Sequence, residues 1–437
     1  MSSPSDPNPD RTPVSRPARP GEAGPESATA RRWRWMAALA LVPLVLCIAA
    51  MAHDPLWLVL GVDHVKPYFA DVVAILAAGQ ARHAGLNVFA ENPFDPFGRP
   101  HVYGPLWLIS GRLGLTVRDA IWIGPIIGLA FIAASVVALG ARNLRSFSAS
   151  AVLLGSPGVL FALERANNDL IIVIMLLAAA WLLARRGWRP HTGGAALLVL
   201  AAALKMYPAS AIPILAGSRR NRIALAVFSA AVLVCVVCWW DWRREYQEAI
   251  ALAPQPTTIF AYGVYVSYLT WNSLFATRGW LILGAVLGAA VLVPPLIRRW
   301  RDLWDSVPPG GFQAHAFVVG ALCWGACYVL ASNYPYRLVL LILPAVLWIS
   351  QLDHRRFGWL ARLQIGGWSA VSWIAVIKHP LAFASVRPHP GSIPEWLTVL
   401  VGFEQVFVLI LTVAMATAAA GWLLRNVWES VLTATNA

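Results

Sequence analysis

Lysine is nearly absent from the chain. Lys66, Lys205 and Lys378 are the only three, and Arg supplies the rest of a formal charge of +13. Charge of either sign is scarce, at 13% of residues against 58% hydrophobic, and the mean hydropathy is +0.62. A soluble domain of this size carries nearly twice that charged fraction, so a water-soluble globular fold is excluded. No separate basic domain is present, which leaves no footprint for nucleic acid. Cysteine is sparse too. Cys47, Cys235, Cys238, Cys323 and Cys327 all lie inside apolar runs, and the Cys235/Cys238 pair sits between Val and Trp in such a run. They read as core thiols, without redox or metal function. No D-x-D, H-E-x-x-H or zinc-ligand spacing occurs, and no metal or other cofactor is expected.

What the chain does have is repeated apolar runs of roughly 20 residues, the length of a membrane-crossing helix. The expected class is an all-α polytopic membrane protein. Residues 1–30, rich in Pro, Ser, Arg and Gly, read as a disordered cytoplasmic tail. The Arg31–Arg34 cluster and the run 35–52 read as the first span rather than a cleaved signal. A long first outer loop follows over 53–103, containing a helical stretch at 72–84 and a turn-rich segment from Asn92 to Pro105. Further spans fall near 119–140, 147–163, 170–184, 223–240, 279–297, 314–331, 338–350, 363–377 and 399–424. A second outer loop covers 241–278, and a cytoplasmic C-terminal tail 426–437. No internal repeat is visible.

Residues 193–217 pose a parity problem. Arg185, Arg186 and Arg189 precede them, and Arg219, Arg220 and Arg222 follow. The positive-inside tendency wants both flanks cytoplasmic. A re-entrant hairpin broken at Tyr207-Pro208 achieves this, with each arm about 18 Å long. That parity places four polar clusters on one outer side: Asp71; Glu164, Arg165, Asn168 and Asp169; Lys205 and Tyr207; and Ser332 through Tyr336 and Arg337. Charges at membrane depth are expensive and mark sites. Carboxylates offer a general base for an acceptor hydroxyl, and cations offer a holder for a phosphate leaving group. Transfer of a sugar from a polyprenyl-phosphate donor needs both. Movement of a lipid-linked sugar by a transporter or flippase is the competing reading, and an assembly subunit a third.

Glu164-Arg165-Ala166-Asn167-Asn168-Asp169-Leu170 followed by Leu204-Lys205-Met206-Tyr207-Pro208 resembles the paired signature of glycosyltransferase family 87, within the GT-C superfamily. Asn333-Tyr334-Pro335-Tyr336-Arg337-Leu338 and the stretch from Asn92-Pro93-Phe94-Asp95-Pro96 to Tyr103-Gly104-Pro105 are similar to further motifs of that family, the last with Gly where Tyr-Pro-Pro is expected. The resemblance spans roughly residues 60–350 and nothing beyond about 355. It implies a GT-C-like bundle of about 11 spans plus the hairpin, in a bacterial cytoplasmic membrane with the active face outside. It also implies a hexosyltransferase using polyprenyl-phosphate mannose, with inversion, on a glycolipid or glycan acceptor. The matching catalytic acid is Asp71, with Asp63 second. Substrate contacts fall to Glu164, Arg165, Asn168, Asp169, Lys205, Tyr207, Tyr336, Arg337, Arg99 and Tyr103.

Each residue also has a plain reading. Asp71 caps its helix; Glu164 and Arg165 form a structural ion pair; Asn168 and Asp169 cap the next helix. Lys205 snorkels, Arg337 anchors at the interface, and Arg99 and His101 pack the loop. Tyr207 and Tyr103 are core.

Overall fold

The computed structural model describes residues 28–217, 232, 243–245, 247–249, 251–252, 261–270, 298–300, 302–308, 310–330, 332–386 and 395–435. The tail expected over 1–30 lies almost wholly outside them, as do the spans expected at 223–240 and 279–297 and most of the loop at 241–278.

The described chain is helical, with no strand and one isolated bridge between Tyr262 and Asn333. Five of its helices are long and apolar enough to cross a membrane: Thr29–Ala52, Val117–Leu139, Phe312–Leu330, Gly358–Leu381 and Trp396–Trp428. The protein is therefore membrane-embedded. These match the first span and those expected near 119–140, 314–331, 363–377 and 399–424. Three other expected spans take a different form. The run at 147–163 is two helices, α6 (Leu144–Leu154) and α7 (Pro157–Glu164), bent by 52°. Gly155 ends α6, and Pro157, which lacks an N–H, can only begin a new helix. The run at 170–184 is α8 (Asp169–Leu183), whose 15 residues reach about 22 Å against a hydrocarbon core of about 30 Å. The run at 338–350 is a 3-10 turn, Pro335–Leu341, continuing into α11 (Ile342–Gln351).

Burial orders the bundle. α10 (Phe312–Leu330) is the central element: 67% of its apolar window is buried. It packs against α8, α11, the 3-10 segment Tyr207–Gly217 and the long α14 (Glu395–Thr435). Gly320 admits Leu343 and Pro344, since a Cβ there would lie 2.5 Å from each. α1 (Ala28–Ala52) is peripheral, with 22% of its window buried. α5 (Ala120–Leu139) likewise leaves Ile121, Ile126, Leu129 and Val137 exposed. Large apolar side chains on the outside of a bundle are what lipid solvates.

The first loop carries two helices, α2 (Pro55–Val59) and α3 (Ala70–His83). α3 is buried along most of its length and packs on α4 (Ile109–Arg112) at glycine contact, where a Cβ on Gly111 would meet the Gly79 carbonyl oxygen at 1.9 Å. α9 (Trp188–Leu204) ends at Lys205, whose backbone is extended, and Tyr207–Gly217 continues as 3-10 turns. The helix thus breaks beside Tyr207-Pro208. Beyond Gln351 come α12 (Gly358–Trp373), α13 (Ala375–Val386) and α14, which runs on through the stretch expected to be a tail.

Candidate active site

The site begins with two helix ends that satisfy each other. The last carbonyls of a helix and its first amides lack partners inside it. Here the amide of Phe69, the N-cap of α3, donates to the Glu164 carbonyl at 3.0 Å, and the Asp71 amide donates to the Arg165 carbonyl at 3.1 Å. The α7 terminus itself closes as a Schellman turn. Asn167 N–H bonds back to the Ala162 carbonyl (2.9 Å) and Ala166 N–H to that of Leu163 (3.1 Å). Such a turn needs a left-handed residue at its corner, and Ala166 takes that role at φ 44°. Phe69 is left-handed as well, at φ 61°, and its ring fills the space left by Gly124, where a Cβ would fall 2.4 Å from the ring. Two strained corners, Ala166 buried and Phe69 partly buried, therefore set α3 against the Glu164–Asp169 segment.

This junction brings Asp71 to the motif from 94 to 96 residues away. Asn167 Nδ2 donates to Asp71 Oδ2 at 2.6 Å, and Arg165 Nη1 lies 3.5 Å from Oδ1. Arg99 Nη1 lies 3.7 Å from the same oxygen. Arg99 is itself fixed by both Asp95 oxygens (2.8 and 3.0 Å) and by the Ala70 carbonyl (2.7 Å). Asp71 is not the N-cap of its helix; Phe69 is, and the Asp71 carboxylate faces the motif.

The other end of Asn167 holds the backbone of the second acidic residue. Its Oδ1 accepts the Asp169 amide at 2.8 Å, so Asn167, not Asn168, caps α8 by side chain. Asp169 Oδ1 accepts from Lys205 Nζ at 2.5 Å and from Tyr207 OH at 2.7 Å. Among the described residues, its Oδ2 has only Arg337 Nε, at 4.0 Å. Lys205 comes from the break after α9, held there by Trp107, whose Nε1 donates to the Leu204 carbonyl at 3.1 Å. Arg337 is placed by the close approach of its turn to α7, where a Gly158 Cβ would lie 2.8 Å from the Pro335 carbonyl oxygen. Tyr103 puts its ring 5.5 Å from Lys205 Nζ, and Tyr336 stacks on Tyr334 at 5.5 Å.

Two sequence expectations are corrected. Glu164 and Arg165 do not form the structural pair expected of them. Arg165 turns to Asp71, while Glu164 bonds His64 Nδ1 at 2.7 Å, with the His64 ring between Trp57 and Tyr68. Asn168 is 1% exposed and its amide atoms have no hydrogen-bond partner among the described residues. Asp63 is exposed and stands outside the cluster. His101 packs within its loop, and burial pushes its pKa down to about 4, so it is neutral near pH 7 and poorly placed to shuttle protons. Asn167, Asp95 and His64 were missed as site residues. Asn167 lay inside the Glu164–Leu170 motif, but nothing in the sequence says that its amide links the Asp71 carboxylate to the Asp169 backbone. His64 had no signal beyond its place in a polar loop.

The site thus sets buried carboxylates among converging cations inside a membrane-embedded helical bundle. The family model of glycosyltransferase family 87 matches residues 102–343, more than half of the chain, and the chain belongs to that family. It is accordingly a glycosyltransferase. The matched region includes Tyr103, Arg165, Asp169, Lys205 and Arg337; Asp71 and Arg99 precede it. No curated protein and no solved structure matches the chain.

Proposed function

We propose that the chain transfers a hexose, mannose by its family resemblance, from a polyprenyl-phosphate donor to a glycolipid or glycan acceptor at the outer face of a bacterial cytoplasmic membrane. Family membership favours making a glycosidic bond over moving a lipid-linked sugar. The observation that carries the reading is Asn167: one amide holds Asp71 at 2.6 Å and the other side of the same group holds the Asp169 backbone at 2.8 Å. A base and an anion holder are thereby fixed relative to each other.

The roles follow from what each group can still accept. Asp71 Oδ2 is occupied by Asn167, and Oδ1 has only long contacts to Arg165 and Arg99. Oδ1 takes the proton of the acceptor hydroxyl. The hydroxyl oxygen attacks the anomeric carbon from the face opposite the phosphate, the carbon–oxygen bond to phosphate breaks, and polyprenyl phosphate leaves with the electron pair. One displacement inverts the anomeric centre. A single Asp169 faces two cations, Lys205 and Arg337, and Arg337 Nε has no hydrogen-bond acceptor among the described residues. That local surplus of positive charge suits a phosphate, which needs charge-assisted hydrogen bonds in a dry setting. The cations meet this demand from the protein itself, so no metal is proposed. Tyr103, Tyr207, Tyr336 and Asn168 line the approach as sugar and headgroup contacts.

The test is transfer of label from radiolabelled polyprenyl-phosphate mannose to an envelope lipid extract in nanodiscs, with wild type beside Lys205→Ala and Arg337→Gln. Label entering a new product with wild type, and strongly reduced with both variants, supports the reading. Movement of the intact donor across the bilayer without a new glycosidic bond would replace it with transport.

A further inference from the structure

A second buried ion pair lies outside the region that the family model matches. Lys378 on α13 and Glu404 on α14 have side chains 0% and 1% exposed. Lys378 Nζ reaches both Glu404 oxygens, at 3.0 and 2.8 Å. Glu404 Oε1 also accepts from Tyr262 OH at 2.9 Å, and the Tyr262 ring centroid is 5.3 Å from Nζ. A buried ion pair of this kind is replaceable by well-packed apolar residues without loss of stability, because desolvation offsets the attraction. Stability alone therefore does not account for it.

The pair leads directly to the candidate site. Tyr262 and Asn333 exchange backbone hydrogen bonds, at 2.9 and 2.8 Å. Asn333 Nδ2 donates to the Tyr262 carbonyl (3.1 Å) and the Cys327 carbonyl (2.7 Å). With both its amide hydrogens committed, the orientation of the Asn333 side chain is fixed. Its Oδ1 then accepts from Arg337 Nη1. Gln405 adds a second clamp on the same segment, donating to the Ala261 carbonyl at 2.7 Å. The links from Glu404 through Tyr262 to Asn333 are buried hydrogen bonds, the last one to Arg337 is partly buried, and the far end is the guanidinium whose Nε faces Asp169.

We propose that Lys378 and Glu404 are positioning residues: they hold Tyr262, and through it Asn333, so that Arg337 is presented to the lipid phosphate. The inference rests on the reading of Arg337 as a phosphate ligand given above. It extends the functional machinery into the C-terminal helices, which resembled nothing in the sequence.

The experiment measures binding of sugar-free polyprenyl phosphate to the full chain in nanodiscs, with polyprenol as the uncharged control, beside transfer activity and thermal unfolding. Tyr262→Phe removes one hydroxyl and leaves the ion pair; Lys378→Met with Glu404→Leu removes the pair but keeps an apolar fill. Each is expected to raise the Kd about 10-fold, the scale of coupling carried by such networks, with little change in Tm. In an Arg337→Gln background neither should raise it further, because the effect passes through Arg337. A Kd unchanged from wild type, or losses that simply add to that of Arg337→Gln, would overturn the inference and leave the proposed reaction standing. Wild type that binds the lipid phosphate but transfers no sugar would defeat the proposed reaction, while the Kd series still decides the network. Wild type that binds no polyprenyl phosphate would defeat both.

Discussion

Two buried ion clusters among the described residues, at Lys378–Glu404 and around Asp169, differ in completeness. At Lys378–Glu404 each carboxylate oxygen has a donor within 3.0 Å, and neither side chain is accessible. At Asp169 one oxygen carries both Lys205 and Tyr207, while the other has, among the described residues, only a cation at 4.0 Å, and the Arg337 side chain is 21% exposed. A fully satisfied network rigidifies what surrounds it; an incompletely satisfied one has capacity left for a ligand. The closed cluster thus suits the supporting role proposed for it, and the open one the proposed role of site.

The sharpest way to break this comparison is to remove both pairs in turn. Lys205→Met with Asp169→Leu is expected to reduce transfer by at least about 10³-fold, since it removes both a phosphate ligand and its counter-charge. The parallel exchange at Lys378 and Glu404 should retain fold and most of kcat, showing its effect in donor affinity. Equal losses of transfer in the two variants would erase the distinction. Asn167→Ala comes next. It should lower kcat about 10²-fold by freeing Asp71 from the phosphate holder, with donor affinity nearly kept, as a split of kcat from KM would show. Gly158→Val is smaller: the added methyls press on the Pro335 carbonyl and Leu338. A loss of about 1–3 kcal/mol in unfolding free energy is expected from overpacking, with donor KM raised because Arg337 moves.

The smallest effect concerns pH. The folded pKa of His101 is lowered from 6.5 to about 4 by burial. Between those values the unfolded chain binds the proton and the folded chain does not, so stability is present above pH 6.5 and falls as pH drops toward 4. The full shift corresponds to about 3 kcal/mol. Thermal unfolding of His101→Gln at pH 7 and pH 4.5 should show less acid destabilisation than wild type, and an equal acid response in both would remove His101 from the account.

Much of the open cluster was legible in the sequence. Lys205 interrupts an apolar run, Asp169 and Arg165 flank a span, and Arg337 opens a helical turn; each is a charge where charge is costly. Their convergence was inferred from topology alone. What was not legible depends on contacts made by backbone ends. The meeting of α3 with α7, the Schellman corner at Ala166, and the pairing of Glu164 with His64 across 100 residues leave no periodic trace. The bend between α6 and α7 was written in Gly155 and Pro157, but the hydropathy of 147–163 masked it. The closed cluster was missed for a different reason. Lys378 falls just past the span expected at 363–377, whereas it lies within the apolar stretch Gly358–Leu381. Glu404 sits near the start of a long apolar helix and had no partner that the sequence could name.

In the proposed reaction the base and the phosphate holder are separate devices. The most direct test is Asp71→Asn, assayed for donor binding and for transfer on the same nanodisc preparation. The account predicts that polyprenyl-phosphate mannose binds with an affinity close to that of wild type while transfer falls by about 10³-fold or more, the loss of a general base. Transfer at the wild-type rate in that variant would contradict it.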